Sequence, residues 1–254
     1  MSDDFKLSDL YVNKISISKE IPQENYLRNL PVVKNLRKMD GICLSKKVTF
    51  LVGENGVGKS TLIEALAVAL GFNPEGGTVN FNFSTRESHS DLHHYMTVSR
   101  GYKKYKDGFF LRAESFYNVA SNIDEMDEEL GMGAPVISSY GGVSLHKQSH
   151  GESFLALVEN RFGGNGLYIL DEPEAALSPM RLMRLMCCMQ ELVRKNSQFI
   201  ISTHSPILMT FPEAEILEIT QDGISSVDYK ETEHFMITKR FMDAPEKMIE
   251  SLLG

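Results

Sequence analysis

The chain has 254 residues, with 26 Lys and Arg against 34 Asp and Glu, a formal net charge of −8, 42% hydrophobic residues and 24% charged ones. That is ordinary globular composition, which excludes a disordered chain, a collagen and a coiled-coil rod; the best apolar run, Ala65–Leu70, is far short of the ~18–20 residues of a membrane span. The acidic Met-Ser-Asp-Asp start lacks a secretory apolar core. Cys43, Cys187 and Cys188 are odd in number and form no C-x-x-C, which argues against disulfides and a zinc knot and for a reducing, cytoplasmic home. The acidic balance argues against a generic nucleic-acid coat but leaves room for a local basic patch.

Residues 1–46 are mixed and polar, and the alternation Tyr11–Ile17 predicts an edge strand with one buried face. Val48–Val52 is an apolar, β-branched strand that runs into a glycine-rich turn. The run Lys59–Leu70 predicts a helix closed by Gly71. Residues 72–118 read as β-rich, with a hairpin turning at Asp107-Gly108, and residues 121–134 as an acidic loop or short surface helix. Ser153–Arg161 has helical spacing, and Leu167–Leu170 is a buried strand. Ser178-Pro179 starts a helix that carries a Met/Leu face over Met180–Val193, and Gln198–Ser202 is another buried strand. Strands alternating with helices around phosphate-type turns predict an α/β fold, a mostly parallel sheet with flanking helices. Residues 1–254 read as one domain with a smaller antiparallel β lobe or insertion at approximately 80–150.

Gly53-Glu54-Asn55-Gly56-Val57-Gly58-Lys59-Ser60 fits G-x-x-x-x-G-K-[ST] between a strand and a helix. The glycines let backbone N–H groups turn toward phosphate oxygens, and the helix N-terminus adds partial positive charge. In such a loop Lys59 reaches the β- and γ-phosphates and the Ser60 hydroxyl ligates Mg²⁺. Leu167-Tyr168-Ile169-Leu170-Asp171-Glu172 is an apolar strand ending in two carboxylates. Asp171 suits the Mg²⁺ water shell, and Glu172, one residue on, suits the base that deprotonates an attacking water. Phe199–Ser202 ends in Thr203-His204-Ser205-Pro206, which puts His204 at the carboxyl edge of the sheet. Gln148-Ser149-His150-Gly151-Glu152 precedes a helix and forms a second anion-binding turn. A chain with a complete phosphate loop has no need of a second anion site for the same nucleotide. The spare site therefore suits a nucleotide held by another subunit.

These elements resemble the ABC-type ATPase superfamily, of the P-loop NTPase fold. Ser149 lies 22 residues before Asp171, and His204 lies 33 after it. The likeness is to the RecF/SMC/OLD-like branch, and within it to small stand-alone bacterial AAA family ATPases. It rests on Thr49–Gly56, Arg112-Ala113-Glu114-Ser115-Phe116-Tyr117-Asn118, Ser144–Glu152, Asp171-Glu172-Pro173-Glu174-Ala175-Ala176-Leu177-Ser178-Pro179 and Thr203–Pro206. The resemblance covers residues from about Val32 onward. It implies ATP and Mg²⁺ as cofactors, ATP hydrolysis, and a homodimer that sandwiches two nucleotides. Carried over, Gly53 to Thr61 cradle the nucleotide, Ser149 and Gly151 are signature contacts to the partner's nucleotide, Glu172 is the catalytic carboxylate and His204 senses the γ-phosphate. The Glu174–Ser178 segment would meet its twin across the dimer.

The chain departs from the family pattern. His150 replaces the first glycine of the common signature and Gln148 its leucine. No glutamine lies between Lys59 and Gln148, so the usual glutamine-bearing loop is absent or replaced, with Ser84, Thr85 and Arg86 as candidate replacements. Only 89 residues separate Lys59 from Ser149, too few for a coiled-coil arm.

Arg100–Lys106 interleaves cations and aromatics, a pattern suited to a nucleic-acid backbone but also to one exposed hairpin face. His89, His93 and His94 offer a weak metal pattern. Tyr26 and Tyr11 compete as an aromatic that would stack on adenine. Two functional readings follow. One is a nucleotide-driven switch acting on nucleic acid or a separately encoded effector protein, in repair or phage defence. The alternative is the ATP-binding subunit of a membrane ABC transporter.

Overall fold

The computed structural model describes residues 8–78, 90–129, 138, 142 and 144–254, without the side chains of 125–129. Its centre is a six-stranded sheet in the order β5-β6-β7-β3-β8-β9. These strands are β3 (Val48–Val52), β5 (Asp107–Arg112), β6 (Gly166–Asp171), β7 (Gln198–Ser202), β8 (Glu215–Ile219) and β9 (Ile224–Ser226). All neighbours are parallel except β9, which returns antiparallel along β8. Every residue of β3, β6 and β7 is buried, which explains why these segments read as continuous apolar runs rather than alternating ones.

Successive residues of these strands feed two cores. Phe50, Leu170 and Ile201 face one side, where α3 (Phe116–Glu129), α4 (His150–Arg161) and α5 (Pro179–Arg194) pack. Leu51, Ile169 and Ile200 face the other, against α2 (Lys59–Leu70) and a three-stranded antiparallel sheet. That small sheet has the order β2-β1-β4, from β1 (Val12–Ile17), β2 (Ile42–Cys43) and β4 (Met96–Arg100). Helix α2 is apolar nearly all round because it lies between the two sheets, and Gly71 ends it in the left-handed conformation with φ 95°. The remaining helices are α1 (Pro31–Lys38), α6 (Pro206–Met209), α7 (Glu233–Asp243) and α8 (Pro245–Leu253).

A buried side chain ties the start of β1 to β7. Gln198, first residue of β7, accepts from the N–H groups of Tyr11 and Val12 at 2.8 and 2.9 Å and donates to the Val12 carbonyl at 3.0 Å. An amide can satisfy donors and an acceptor at once, as few other uncharged side chains can.

The mostly parallel sheet, the flanking helices, a strand at Val12–Ile17 and the helix Lys59–Leu70 agree with the sequence expectations, but β1 is not the expected edge strand: it pairs with β2 on one side and β4 on the other and so forms the centre of the small sheet. The hairpin at Asp107-Gly108 does not form. These residues open β5, which pairs parallel with β6. Gly108 is small because the Phe72 ring packs on it; a Cβ there would lie 2.8 Å from that ring. Asp107 accepts from Arg161 Nη1 at 2.8 Å and from the Gly163 N–H at 2.9 Å. The Asp-Gly pair thus serves tertiary packing instead of a turn. The acidic stretch is the end of α3, which starts earlier, at Phe116, and buries Phe116, Val119, Ala120 and Ile123. On α5 the buried positions are Leu182, Leu185, Met189 and Leu192, while Met180 and Met183 are exposed. Leucine therefore carries most of the expected Met/Leu face. Ser84, Thr85, Arg86 and His89 lie outside the described residues.

Gln198→Met keeps the bulk and orphans the N–H groups of Tyr11 and Val12. The variant should lose roughly 2–4 kcal/mol of stability in urea unfolding.

Candidate functional site

Parallel pairing brings the motif-bearing strand ends to one edge. Leu51 of β3 and Asp171 of β6 are both paired in register with Ser202 of β7, which lies between them. The loops that leave these strands carry Lys59, Glu172 and His204, so residues far apart in sequence converge. Such a carboxyl edge is where open α/β sheets bind ligands.

The loop from Gly53 to Gly58 curls through positive φ at Gly53, Gly56 and Gly58. Lys59 is buried, and its Nζ donates to the Gly53 and Glu54 carbonyls at 2.8 and 2.9 Å, bracing the curl. Burial pushes the Lys59 ammonium below the ordinary lysine value, and the carboxylates of Glu172, Asp171 and Glu174 oppose that shift. The N-terminal turn of α1 supports the loop from outside, where Val32 N–H donates to the Val57 carbonyl at 3.0 Å.

Asp171 is buried and held on both oxygens. Ser202 Oγ donates to Oδ1, and Arg112 Nε donates to Oδ2 at 2.9 Å. Arg112 Nη1 also reaches Glu64 Oε2 at 2.8 Å, so one guanidinium joins the end of β5, the helix α2 and the end of β6. Glu64 Oε1 in turn accepts from Ser90 N–H. Glu172 adopts φ 48°, ψ 55°, a left-handed conformation that costs a non-glycine residue about 1–2 kcal/mol. Its N–H is fixed to the Ser202 carbonyl at 3.1 Å, which aims the side chain off the end of the strand. Burial and the adjacent Asp171 charge push its carboxyl above the ordinary glutamate value, while Lys59 pulls it back.

His204 follows β7. Its backbone N–H donates to Glu174 Oε1. Its Nδ1 is 2.7 Å from His234 Nε2 of α7, and its Nε2 lies 3.5 Å from Glu172 Oε1. That Nε2 is buried and has no hydrogen-bond partner among the described residues. Burial, helped by Lys59 and His234, lowers the imidazole pKa to about 4. At neutral pH the ring is uncharged, so its contact with Glu172 is not an ion pair. A cavity of about 460 Å³ beside it is lined by Glu54, Asn55, His204, Glu233, His234, Ile237 and Thr238.

Ser149 and Gly151 are elsewhere. Ser149 precedes α4, and Glu152 accepts from both its N–H and its hydroxyl, at 3.1 and 2.6 Å. Arg181 of α5 donates to Glu152 Oε1 at 3.0 Å. Gly151 is obligatory, since a Cβ would lie 2.8 Å from the Ala176 carbonyl. Neither Ser149 nor Gly151 lines the cavity beside the phosphate loop. Tyr11 is buried and donates to the Asn196 carbonyl at 2.9 Å, whereas Tyr26 is exposed just before α1. In the basic stretch, Lys103 is paired with Asp9.

Sequence reasoning assigned no role to Arg112, Glu64, Ser202 or His234. Glu64 carried a readable signal, a lone carboxylate inside an apolar helix, which demands a buried cation. His234 carried none, because its partner is set by tertiary packing alone.

The chemistry of the residues fits Mg²⁺. One hydroxyl, Ser60, and one carboxylate, Asp171, each oxygen of which keeps an unused lone pair, suit a hard cation completed by phosphate and water. Among the described residues no cluster of three His, Cys, Asp or Glu forms a self-sufficient metal cage, and a phosphate-loop site requires none.

This architecture is that of P-loop ABC ATPase domains. Solved structures that share it include CbiO1 from Clostridium perfringens, part of the ABC transporter complex CbiONQ, with a TM-score of 0.51 at 16% identity, covering 96% of this chain and 99% of that one. "An inward-facing conformation of a putative metal-chelate type ABC transporter" gives a TM-score of 0.50 at 14% identity, covering 90% of this chain and 88% of that one. The "AAA domain" family model matches residues 32–126, which include the phosphate loop and Arg112. A second model, "AAA domain, putative AbiEii toxin, Type IV TA system", matches residues 145–210, which include Ser149, Asp171, Glu172 and His204. The nucleoside import ATP-binding protein NupA of Lactococcus lactis subsp. cremoris (strain MG1363) is 26% identical over 172 residues. That match spans 61% of this chain and 32% of NupA, so the chain covers about a third of its relative's length. Family matches and fold agree with the resemblance drawn from the motifs, an ABC-type ATPase.

The depressed His204 pKa has a testable consequence. Between the unfolded value of 6.5 and about 4, the unfolded chain binds a proton that folded His204 refuses, so this residue makes stability rise with pH through that window. The stability advantage of wild type over His204→Gln in urea unfolding should be larger at about pH 7 than at about pH 4.5. A difference that does not change with pH would contradict the assignment.

Proposed function

We propose that the chain binds Mg-ATP in the loop from Gly53 to Thr61 and hydrolyses it at composite sites of a homodimer. The observation that carries this reading is the placement of Glu172, aimed off the sheet edge 3.5 Å from a neutral, unpartnered His204 Nε2 and within the field of Lys59. Glu172, with its raised proton affinity, would take the proton of the attacking water. His204 would hold a γ-phosphate oxygen through Nε2, and Lys59 would turn from its loop carbonyls to the β- and γ-phosphates. Mg²⁺, held by Ser60 and through Asp171, would supply charge neutralisation. Tyr26, exposed next to the loop's support, is the better placed of the two tyrosines to stack on adenine. Ser149 and Gly151, outside the cavity beside the loop, would complete the partner's site, with Glu174–Ser178 near the dimer axis.

In this reading residues 1–254 form one domain with a side region at approximately 80–150, located in the cytoplasm. It acts as a switch on nucleic acid or a separately encoded effector protein, of the repair or defence kind. The alternative, an ATP-binding transporter subunit, is favoured by the name of the NupA relative. Against it stands the lack of any glutamine between Lys59 and Gln148, where the usual coupling loop would lie. Among the described residues, no helix is long and apolar enough to cross a membrane.

Glu172→Gln keeps the phosphate contacts and loses the base. It should bind Mg-ATP with unchanged affinity, turn over roughly 10²-fold or more slowly, and accumulate as an ATP-bound dimer in light scattering. Undiminished turnover would remove Glu172 from the chemistry, and a strictly monomeric ATP complex would remove the sandwich dimer.

A further inference from the structure

The second histidine beside the site belongs to no motif. His234 is the second residue of α7, a helix with no fully buried residue, and it is brought to the sheet edge beside His204. The two rings have centroids 4.7 Å apart and planes tilted by 59°, with His204 Nδ1 and His234 Nε2 at 2.7 Å. Two nitrogens at that distance share one proton, so one ring donates and the other accepts.

The direction of this hydrogen bond decides what His204 presents on its far side. If His204 donated from Nδ1, its Nε2 would be a bare lone pair 3.5 Å from the Glu172 carboxylate. That arrangement sets two acceptors against each other, one of them the buried Nε2 atom. If His234 donates instead, His204 Nδ1 accepts and Nε2 carries the hydrogen, directed toward Glu172 and the cavity lined by Glu54 and Asn55. The second arrangement removes the repulsion. It also leaves His204 neutral, in keeping with its lowered pKa, yet still a donor. A neutral donor can hold a phosphate oxygen without drawing a proton from Glu172.

We infer that His234 is a positioning residue which, by donating Nε2–H to His204 Nδ1, locks His204 in the tautomer that offers Nε2–H to the γ-phosphate. The inference rests on the ATPase reading for its consequence, though the tautomer itself is independent of it. It also ties α7 to turnover, since movement of this helix away from the sheet edge would release the lock.

The test has two arms. In the nucleotide-free protein, two-bond ¹H–¹⁵N spectra of ¹⁵N-histidine-labelled chain report each imidazole tautomer, with His204 assigned through His204→Asn. The expected result is a hydrogen on Nε2 and an accepting Nδ1, passing to a tautomer mixture in His234→Met. A hydrogen on His204 Nδ1 in the wild type would overturn the inference. In the second arm, steady-state ATP hydrolysis is compared across His234→Met, which has no donor, and His234→Gln, which restores an N–H near the position of Nε2. The Met variant should lose roughly tenfold in kcat, about what one hydrogen bond supplies, with KM for ATP little changed, and the Gln variant should recover most of that loss. Equal loss in both variants, or none in Met, would also overturn it. A wild type without ATPase activity would instead refute the proposed function, and the spectra would still decide the tautomer.

Discussion

Everything at the site depends on the parallel register that sets Ser202 between Leu51 and Asp171. Its backbone carbonyl takes the Glu172 N–H, its hydroxyl holds Asp171, and the next residue, Thr203, donates to the Leu51 carbonyl. One short stretch of β7 therefore indexes the phosphate-loop strand against the acidic strand. A slip of one residue would turn every side chain of β7 to the opposite face. Phe199 and Ile201 would then exchange cores with Ile200. The apolar faces thus enforce the alignment on which the proposed chemistry relies.

Around that alignment lies a chain of buried charge. Arg112 spans Glu64 and Asp171, and Lys59 stands in the field of Asp171, Glu172 and Glu174. Breaking a buried pair by removing one partner is costly because the other charge is left uncompensated. The Arg112 bridge therefore fixes Asp171 while leaving Glu172 comparatively free. Among the described residues Glu172 has no hydrogen-bonded Lys or Arg, and burial raises its proton affinity. In the proposed reaction these two adjacent carboxylates would be separated in role, one held for a cation and one kept basic for a proton.

The legible part of this protein is the part written in local sequence. The phosphate loop needs closely spaced glycines and a lysine, the acidic strand end needs an apolar run followed by Asp171-Glu172, and the His204 turn follows a second such run. Local pattern failed at Asp107-Gly108. The turn-like pair there serves Arg161 and Phe72, both far away in sequence. It was silent on Gln198, Arg112 and His234, whose partners lie in other elements. Glu64 was in between, an anomaly visible in the sequence whose meaning required the sheet to be assembled.

The central claim is that two chains complete each other's nucleotide sites, and complementation between inactive variants measures this most directly. Lys59→Ala removes the loop cation, and Ser149→Arg blocks the turn offered to the partner. Each homodimer then carries one defect in every site and should be nearly inactive. A mixed dimer gathers both defects in one site and leaves the other intact. With random subunit exchange and independent sites, an equal mixture should recover about a quarter of wild-type ATP hydrolysis. A mixture no more active than the separate variants, with heterodimers demonstrated, would contradict the account of independent composite sites.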